Sequence, residues 1–250
     1  MKTYALNNPI LGDADSFFNE HSVLKSNYSS GEHTRSIDGT GVNVSVGDYA
    51  AGRIADYICK KFDYELPVSI LDAGAGLGHL QSALTAKGFY ACSMEGSKSV
   101  AAGAVCDKDR FSIVDLCQPI ADKRLYKAFD LSTSFELIEH IHPEEEDNFW
   151  SNMIYLSYYH LCSIHGDGSV RHVNGETLIG PDPTAAIHCN MKTEEQWKDY
   201  FDGRNIKHEI LGHYPKADPA QEEFRREVKL IQWNDWQSCS FWLLDFTEAQ

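Results

Sequence analysis

Long apolar runs are missing from this 250-residue chain. None approaches the ~18–20 residues that a membrane-crossing helix needs, so no membrane partner is expected. The first residues, Met1 to Leu6, lead into polar Asn7-Asn8-Pro9 and carry no apolar signal core, which makes a cytoplasmic protein the expectation. Paired cysteines are also lacking. The seven, at 59, 92, 106, 117, 162, 189 and 239, are odd in number and include no Cys-x-x-Cys, so neither a disulfide framework nor a zinc ribbon is expected. Reduced and mostly buried thiols are the default. Positive charge is scarce: 22 Lys and Arg against 37 Asp and Glu leave a net charge of −15. Gripping a phosphate backbone requires clustered Lys and Arg, and the one doublet, Arg225-Arg226, is diluted by Glu222, Glu223 and Glu227. Nucleic acid is therefore disfavoured as a partner, and small molecules, glycans or proteins are favoured. Oligomeric state is not written in these patterns.

What is present is ordinary globular material, 42% hydrophobic and 24% charged, enough for one large α/β domain with an accessory element. Residues 1–45, rich in Asn, Ser, Gly and Thr, read as a loop-rich N-terminal extension with a short helix near 14–23. The domain proper is expected over 46–250, with an insertion at 165–190. Tyr49, Ile54, Tyr57, Ile58 and Phe62 recur near helical spacing, predicting a helix over 48–62. A strand–turn–helix rhythm follows. Strands are predicted at 68–71, 89–94, 111–114, 129–135 and 158–164, and helices at 77–86, 97–105 and 144–156. Asn174-Gly175 between two short apolar runs signals a hairpin. Helices over 193–201 and 219–231 and strands near 208–212 and 238–246 complete the chain. The alternation predicts a doubly wound, Rossmann-like α/β sheet, mostly parallel with an antiparallel edge strand.

The strongest local signal is Asp72-Ala73-Gly74-Ala75-Gly76-Leu77-Gly78, which follows a predicted strand and opens a helix. Glycines there let the backbone turn tightly and approach a ligand without a Cβ in the way, and a helix start offers free N–H groups. The dinucleotide fingerprint would place its third glycine at position 79; here Gly78 comes one residue early and His79 follows. Glu95 closes the second predicted strand and Asp115 the third. Each acid alone reads as a solvated loop carboxylate. Three at the ends of successive strands point to a ligand, because open α/β sheets bind ligands at those carboxyl ends.

These segments, together with Glu95-Gly96, Val114-Asp115-Leu116 and Phe129-Asp130-Leu131 running into Ser134-Phe135-Glu136-Leu137-Ile138-Glu139-His140-Ile141, resemble the class I S-adenosylmethionine-dependent methyltransferases. The likeness covers roughly 48–165 by motif and 187–246 by order of elements. It implies a seven-stranded methyltransferase-type sheet and S-adenosylmethionine as cofactor. It further implies Asp72, Ala73, Gly74, Ala75, Gly76 and Gly78 around the methionine part, Glu95 and Gly96 at the ribose, Asp115 and Leu116 at the adenine, and Phe135 near the sulfonium.

A second resemblance is narrower. Glu136-x-x-Glu139-His140, with a later His188, resembles the metal site of the small-RNA 3′-terminal 2′-O-methyltransferases, in which two acids and two histidines bind a divalent cation. The plainer alternative, that Glu139 and His140 structure the loop after the fourth strand, is preferred. His140 and His188 are the candidate catalytic bases, since an imidazole titrates near neutrality. His160 falls inside a strand and is set aside. Trp150, Tyr155, Tyr158 and Tyr159 are expected to be core. The resulting expectation is O-methylation of a small metabolite or sugar, with 1–45 and 165–190 as a lid. N-methylation and metal-assisted ribose 2′-O-methylation are the enzymatic alternatives, and a non-catalytic nucleotide-binding protein is the alternative of another class.

Overall fold

The computed structural model describes residues 11–22, 48–62, 69–165, 170–173, 176–179, 189–214 and 239–249. The predicted helix over 219–231 lies outside them. Strand β1 (Ser69–Ala73) is buried along its whole length, as its Ile70-Leu71 centre requires. Its polar first residue is matched from the neighbouring strand, Ser69 N–H and Oγ–H both donating to Asp130 Oδ2 at 2.8 and 3.0 Å. Around β1 are laid β2 (Tyr90–Glu95), β3 (Phe111–Ile113), β4 (Phe129–Ser134), β5 (Ser157–His165), β8 (Lys207–Tyr214) and β9 (Cys239–Asp245), in the order β3-β2-β1-β4-β5-β9-β8. The first five strands are mutually parallel. Strand β9 runs antiparallel to both β5 and β8, so the reversed strand sits one place in from the edge that β8 forms. Strands β6 (Val170–Val173) and β7 (Glu176–Ile179) pair as a separate two-stranded hairpin, as Asn174-Gly175 predicted.

Helices cover both faces. On one side α2 (Asp48–Lys61) and α3 (His79–Ala86) bury Ile54, Ile58, Leu80 and Leu84 against Ile70, Leu131, Leu161 and Leu243. On the other, α1 (Leu11–His21), α5 (Glu146–Leu156) and α6 (Glu194–Asp202) bury Phe18, Phe149, Trp150, Met153, Trp197 and Phe201 against Leu71, Phe129, Cys162 and Trp242. The short α4 (Lys98–Ala102) closes a third cluster, formed by Ala75, Ala101, Ala104 and Phe111. Helix α6 begins with a reciprocal capping box between Thr193 and Gln196, which satisfies two of its otherwise orphaned N–H groups. None of the described helices is long and apolar enough to cross a membrane.

Candidate functional site

Strand β1 runs out at Ala73 into three glycines before α3 begins. Two of them need to be glycine for separate reasons. Gly74 has φ +69°, and a Cβ there would come within 2.6 Å of Leu137 Cδ2. Gly78 has φ +77°, and a Cβ would be driven into the Cys106 thiol. The loop is pinned to β2, with Gly74 and Ala75 N–H donating to the Met94 carbonyl at 2.9 and 3.1 Å. Its far side is pinned by Val105 N–H donating to the Leu77 carbonyl at 2.9 Å. A left-handed backbone held from two sides is a preformed cradle.

Two carboxylates flank it. Glu95, the last residue of β2, accepts from Gly76 N–H at 2.9 Å through Oε2 and from Ser97 N–H at 2.8 Å through Oε1, so one side chain ties the glycine loop to the start of α4. Burial raises its carboxyl above the usual range, and the amides of Ser97, Gly76 and Gly96 oppose that rise. Asp72 is 5% exposed and accepts from Thr133 Oγ1 at 3.1 Å. Burial pushes its carboxyl up to about 7; the Thr133 hydroxyl works against the shift and the Glu95 charge adds to it. No lysine or arginine among the described residues offsets either acid. The site is thus short of positive charge, and a ligand carrying a cation would relieve it. Cys106, beside Gly78, has its thiol pushed up to about 12 by burial and then by the Asp72 charge, which keeps it protonated and unreactive.

Asp115 stands two residues beyond β3, where its Oδ1 accepts from Cys117 N–H at 2.9 Å and shapes a tight turn that buries Leu116. Gly96 is exposed, and a Cβ on it would meet nothing nearer than the Val114 carbonyl at 3.9 Å. Strands β1, β2 and β3 are adjacent, so residues 72–78, 95–96 and 115–116 share one end of the sheet. Phe135, just past β4, is half-buried against the α2–α3 cluster.

The segment after β4 behaves differently. Glu136 adopts φ +54°, an uncommon conformation for a non-glycine residue. Its N–H donates to Ser163 Oγ at 2.8 Å while Ser163 Oγ–H donates to Glu136 Oε1 at 3.1 Å, so this carboxylate is turned onto β5. Glu139 is buried in a short 3-10 turn, Ile138–His140, and its carbonyl accepts from Asn190 N–H at 3.1 Å. His140 ends that turn, partly buried. His188 lies outside the described residues, and among the described residues no three His, Cys, Asp or Glu side chains come together as a metal-binding group. His160 is fully buried, with Nδ1 on Ser132 Oγ at 2.7 Å and Nε2 on Ser134 Oγ at 2.8 Å. Burial pushes it down to about 3, so it is a neutral structural imidazole. Trp150 is core as expected, and Tyr155, Tyr158 and Tyr159 are partly buried.

Several neighbours of the site carry no motif. Thr133 is an alternating strand residue, Leu137 an apolar residue in an apolar run, and Cys106 a loop cysteine. Only the register Asp72↔Thr133 and the return of the chain over Gly74 and Gly78 give them a place.

No family model matches the chain, and no curated protein matches it. Solved structures do. Phosphoethanolamine N-methyltransferase 2 from Haemonchus contortus, in complex with phosphomonomethylethanolamine and S-adenosylhomocysteine, aligns with TM-score 0.52 at 16% identity over 77% of this chain. The match takes in 52% of that enzyme, so the chain spans about half its length. Magnesium protoporphyrin IX methyltransferase from Synechocystis, with S-adenosylhomocysteine bound, aligns with TM-score 0.52 at 14% identity over 79% of this chain and 84% of its own. The methyltransferase domain of bacterial CtHen1-CN aligns with TM-score 0.53 at 14% identity, over 78% of this chain and 99% of its own. Seven strands in this order, with the glycine cradle at the end of β1, give the chain the fold of the class I S-adenosylmethionine-dependent methyltransferases.

Proposed function

We propose that the chain is an S-adenosylmethionine-dependent methyltransferase that methylates an oxygen of a small metabolite or sugar. The observation supporting this most directly is the pair of buried carboxylates, Asp72 and Glu95, that flank a glycine cradle with no lysine or arginine among the described residues offsetting them. A pyrophosphate ligand would set negative charge beside two acids. A nucleoside carrying an ammonium and a sulfonium supplies the charge the site lacks, so the residues fit that cofactor.

When bound, S-adenosylmethionine supplies a methyl carbon on positive sulfur, and its displacement requires mainly alignment. In this reading Asp72, Ala73, Gly74, Ala75, Gly76 and Gly78 hold the amino-acid portion. Glu95, whose oxygens face the loop amides of Gly76 and Ser97, receives the ribose hydroxyls, with Gly96 leaving room beside it. Asp115 and Leu116 meet the base, and Phe135 screens the reacting carbon. His140, together with His188, is the candidate base for an acceptor hydroxyl. Of the lid expected over 1–45 and 165–190, residues 11–21 are instead packed into the core as α1, and the remainder of those two segments is the proposed lid.

The test is calorimetry with S-adenosylhomocysteine, followed by a labelled-methyl screen against small-metabolite extracts. Glu95→Gln replaces one acceptor oxygen by a donor and is expected to weaken binding roughly tenfold or more, as loss of a charged hydrogen bond does. Unchanged affinity would refute the assignment, and tight binding without label transfer to any acceptor would favour a non-catalytic nucleotide-binding protein.

One observation supports a variant. The Asn190–Glu139 pairing joins the chain that follows His188 to the Glu139–His140 turn, in keeping with metal-assisted methylation of a ribose 2′-hydroxyl. Glu136, Glu139, His140 and His188 would be its ligands, and Glu136 would have to exchange its Ser163 contact for the cation. Full turnover in the presence of a chelator would eliminate this variant. An amine acceptor bound neutral would need no base, and replacing both His140 and His188 without loss of turnover would favour N-methylation.

A further inference from the structure

Asn152 stands in the middle of α5 and is 3% exposed. Asparagine is a poorer interior helix residue than alanine or leucine, and burying an amide is costly unless its polar atoms are matched. Here three of its four hydrogen-bonding positions are used. Nδ2 donates to the Leu116 carbonyl and to the Gln118 carbonyl, both at 2.8 Å, and Oδ1 accepts from Ile120 N–H at 2.9 Å. All three partners are backbone atoms of one loop, the loop that follows Asp115. From its other side Asp115 holds the same loop, with Oδ1 receiving Cys117 N–H at 2.9 Å and its carbonyl receiving Gln118 N–H at 3.2 Å. Two carbonyls are thereby turned onto α5. The Asp115 side-chain contact is made by Oδ1 and not by Oδ2.

We infer that Asn152 is a positioning residue that sets base specificity: by tying the Leu116 and Gln118 carbonyls to α5, it leaves the Asp115–Leu116 turn a carboxylate acceptor and backbone N–H groups to offer a purine. This rests on the reading of residues 115–116 as the base-binding turn. A 6-aminopurine presents a donor at N6 and an acceptor at N1, whereas a 6-oxopurine presents an acceptor at O6 and a donor at N1, the same edge in reverse order. A turn fixed at three points meets only one order. Freed from Asn152, it can rotate a carbonyl outward to accept N1–H of the oxo form. A site built around specific hydrogen bonds rejects the mismatched analogue because buried groups are left unpaired, and that rejection requires the groups to stay where they are.

The experiment is calorimetric titration of S-adenosylhomocysteine and S-inosylhomocysteine into the wild-type chain, Asn152→Ser and Ile120→Pro. The second variant leaves Asn152 intact and removes the Ile120 N–H, exchanging its side chain for a proline ring, so it tests the same tether where the first fails to fold. The wild type is expected to favour the adenine compound about tenfold or more, the value of one charged hydrogen bond. In Asn152→Ser the ratio is expected to fall to about threefold or less, with Ile120→Pro between the two. A general loss of stability would lower both affinities together and leave the ratio unmoved. Wild-type discrimination that both folded variants retain to within about twofold overturns this inference alone. A wild-type chain that binds neither compound overturns it together with the cofactor reading.

Discussion

At the scale of single residues, the Asp72 carboxyl controls how the site responds to pH. Its folded value, about 7, stands above the ordinary carboxylate value, so the folded empty site takes up a proton that the unfolded chain releases. The stability tied to this group is full below the unfolded value near pH 4 and is lost as pH rises to about 7. A ligand ammonium placed beside it, which S-adenosylmethionine and S-adenosylhomocysteine both carry, reverses the preference because it favours the ionised form. S-adenosylhomocysteine affinity is therefore expected to rise between about pH 5 and 7 and then level off, with a proton released on binding at pH 6 and none at pH 8. Titrations in two buffers of different ionisation heat measure that proton. Thr133→Val removes the hydroxyl that favours the charge, which should move the rise to higher pH and weaken binding at pH 7 by roughly tenfold. An unshifted profile in that variant would mean the hydroxyl does not act on Asp72.

At the scale of elements, the loop between β1 and α3 shows why some of the site could be read from residues alone. Glycines at 74, 76 and 78 directly after an apolar run announce a turn that excludes Cβ atoms, and the structure gives all three a positive φ. Gly74→Ala combines a left-handed strain with a collision against Leu137, so a stability loss of about 1–3 kcal/mol is expected in denaturant titration, along with weakened nucleoside binding. Leu137→Ala in the same chain should return part of that loss, since it empties the colliding volume. What the pattern could not reveal is the identity of the partners. Thr133, Leu137, Cys106 and Asn152 look like unremarkable strand, loop and helix residues, and they matter only because distant segments are brought against them. The same holds for His160, whose two serine partners lie on β4.

At the scale of the molecule, the order of helices and strands was legible because each element carries its own period and its own stop signal. The antiparallel edge expected from the two closing strands is present, with β9 running against both β5 and β8. What the pattern did not give is how the N-terminal segment joins the sheet. Residues near 14–23 read as a short helix in an extension, yet α1 seats Phe18 against Phe129 with ring centroids 6.1 Å apart. Arg124 reaches Glu20 at 2.6 Å and Tyr90 Oη–H reaches Asp15 at 2.5 Å, which anchors the helix at two further points. Burial across three separate elements leaves no local period to detect. Phe18→Ala, which empties a fully buried position, is expected to cost about 3–5 kcal/mol in denaturant titration. A loss under 1 kcal/mol would show α1 to be a dispensable appendage.

The late insertion of β9 also sets a constraint on biosynthesis. Among the described residues, strand β8 has no sheet neighbour except β9, and β5 has an open flank until β9 fills it. A chain that lacks residues 239–245 carries two unzipped β-edges among its described strands, the kind of surface on which chains pair with one another. A chain released before Cys239 is accordingly expected to recruit chaperones or enter inclusion bodies, even though every residue of the proposed nucleoside cradle has by then been synthesised.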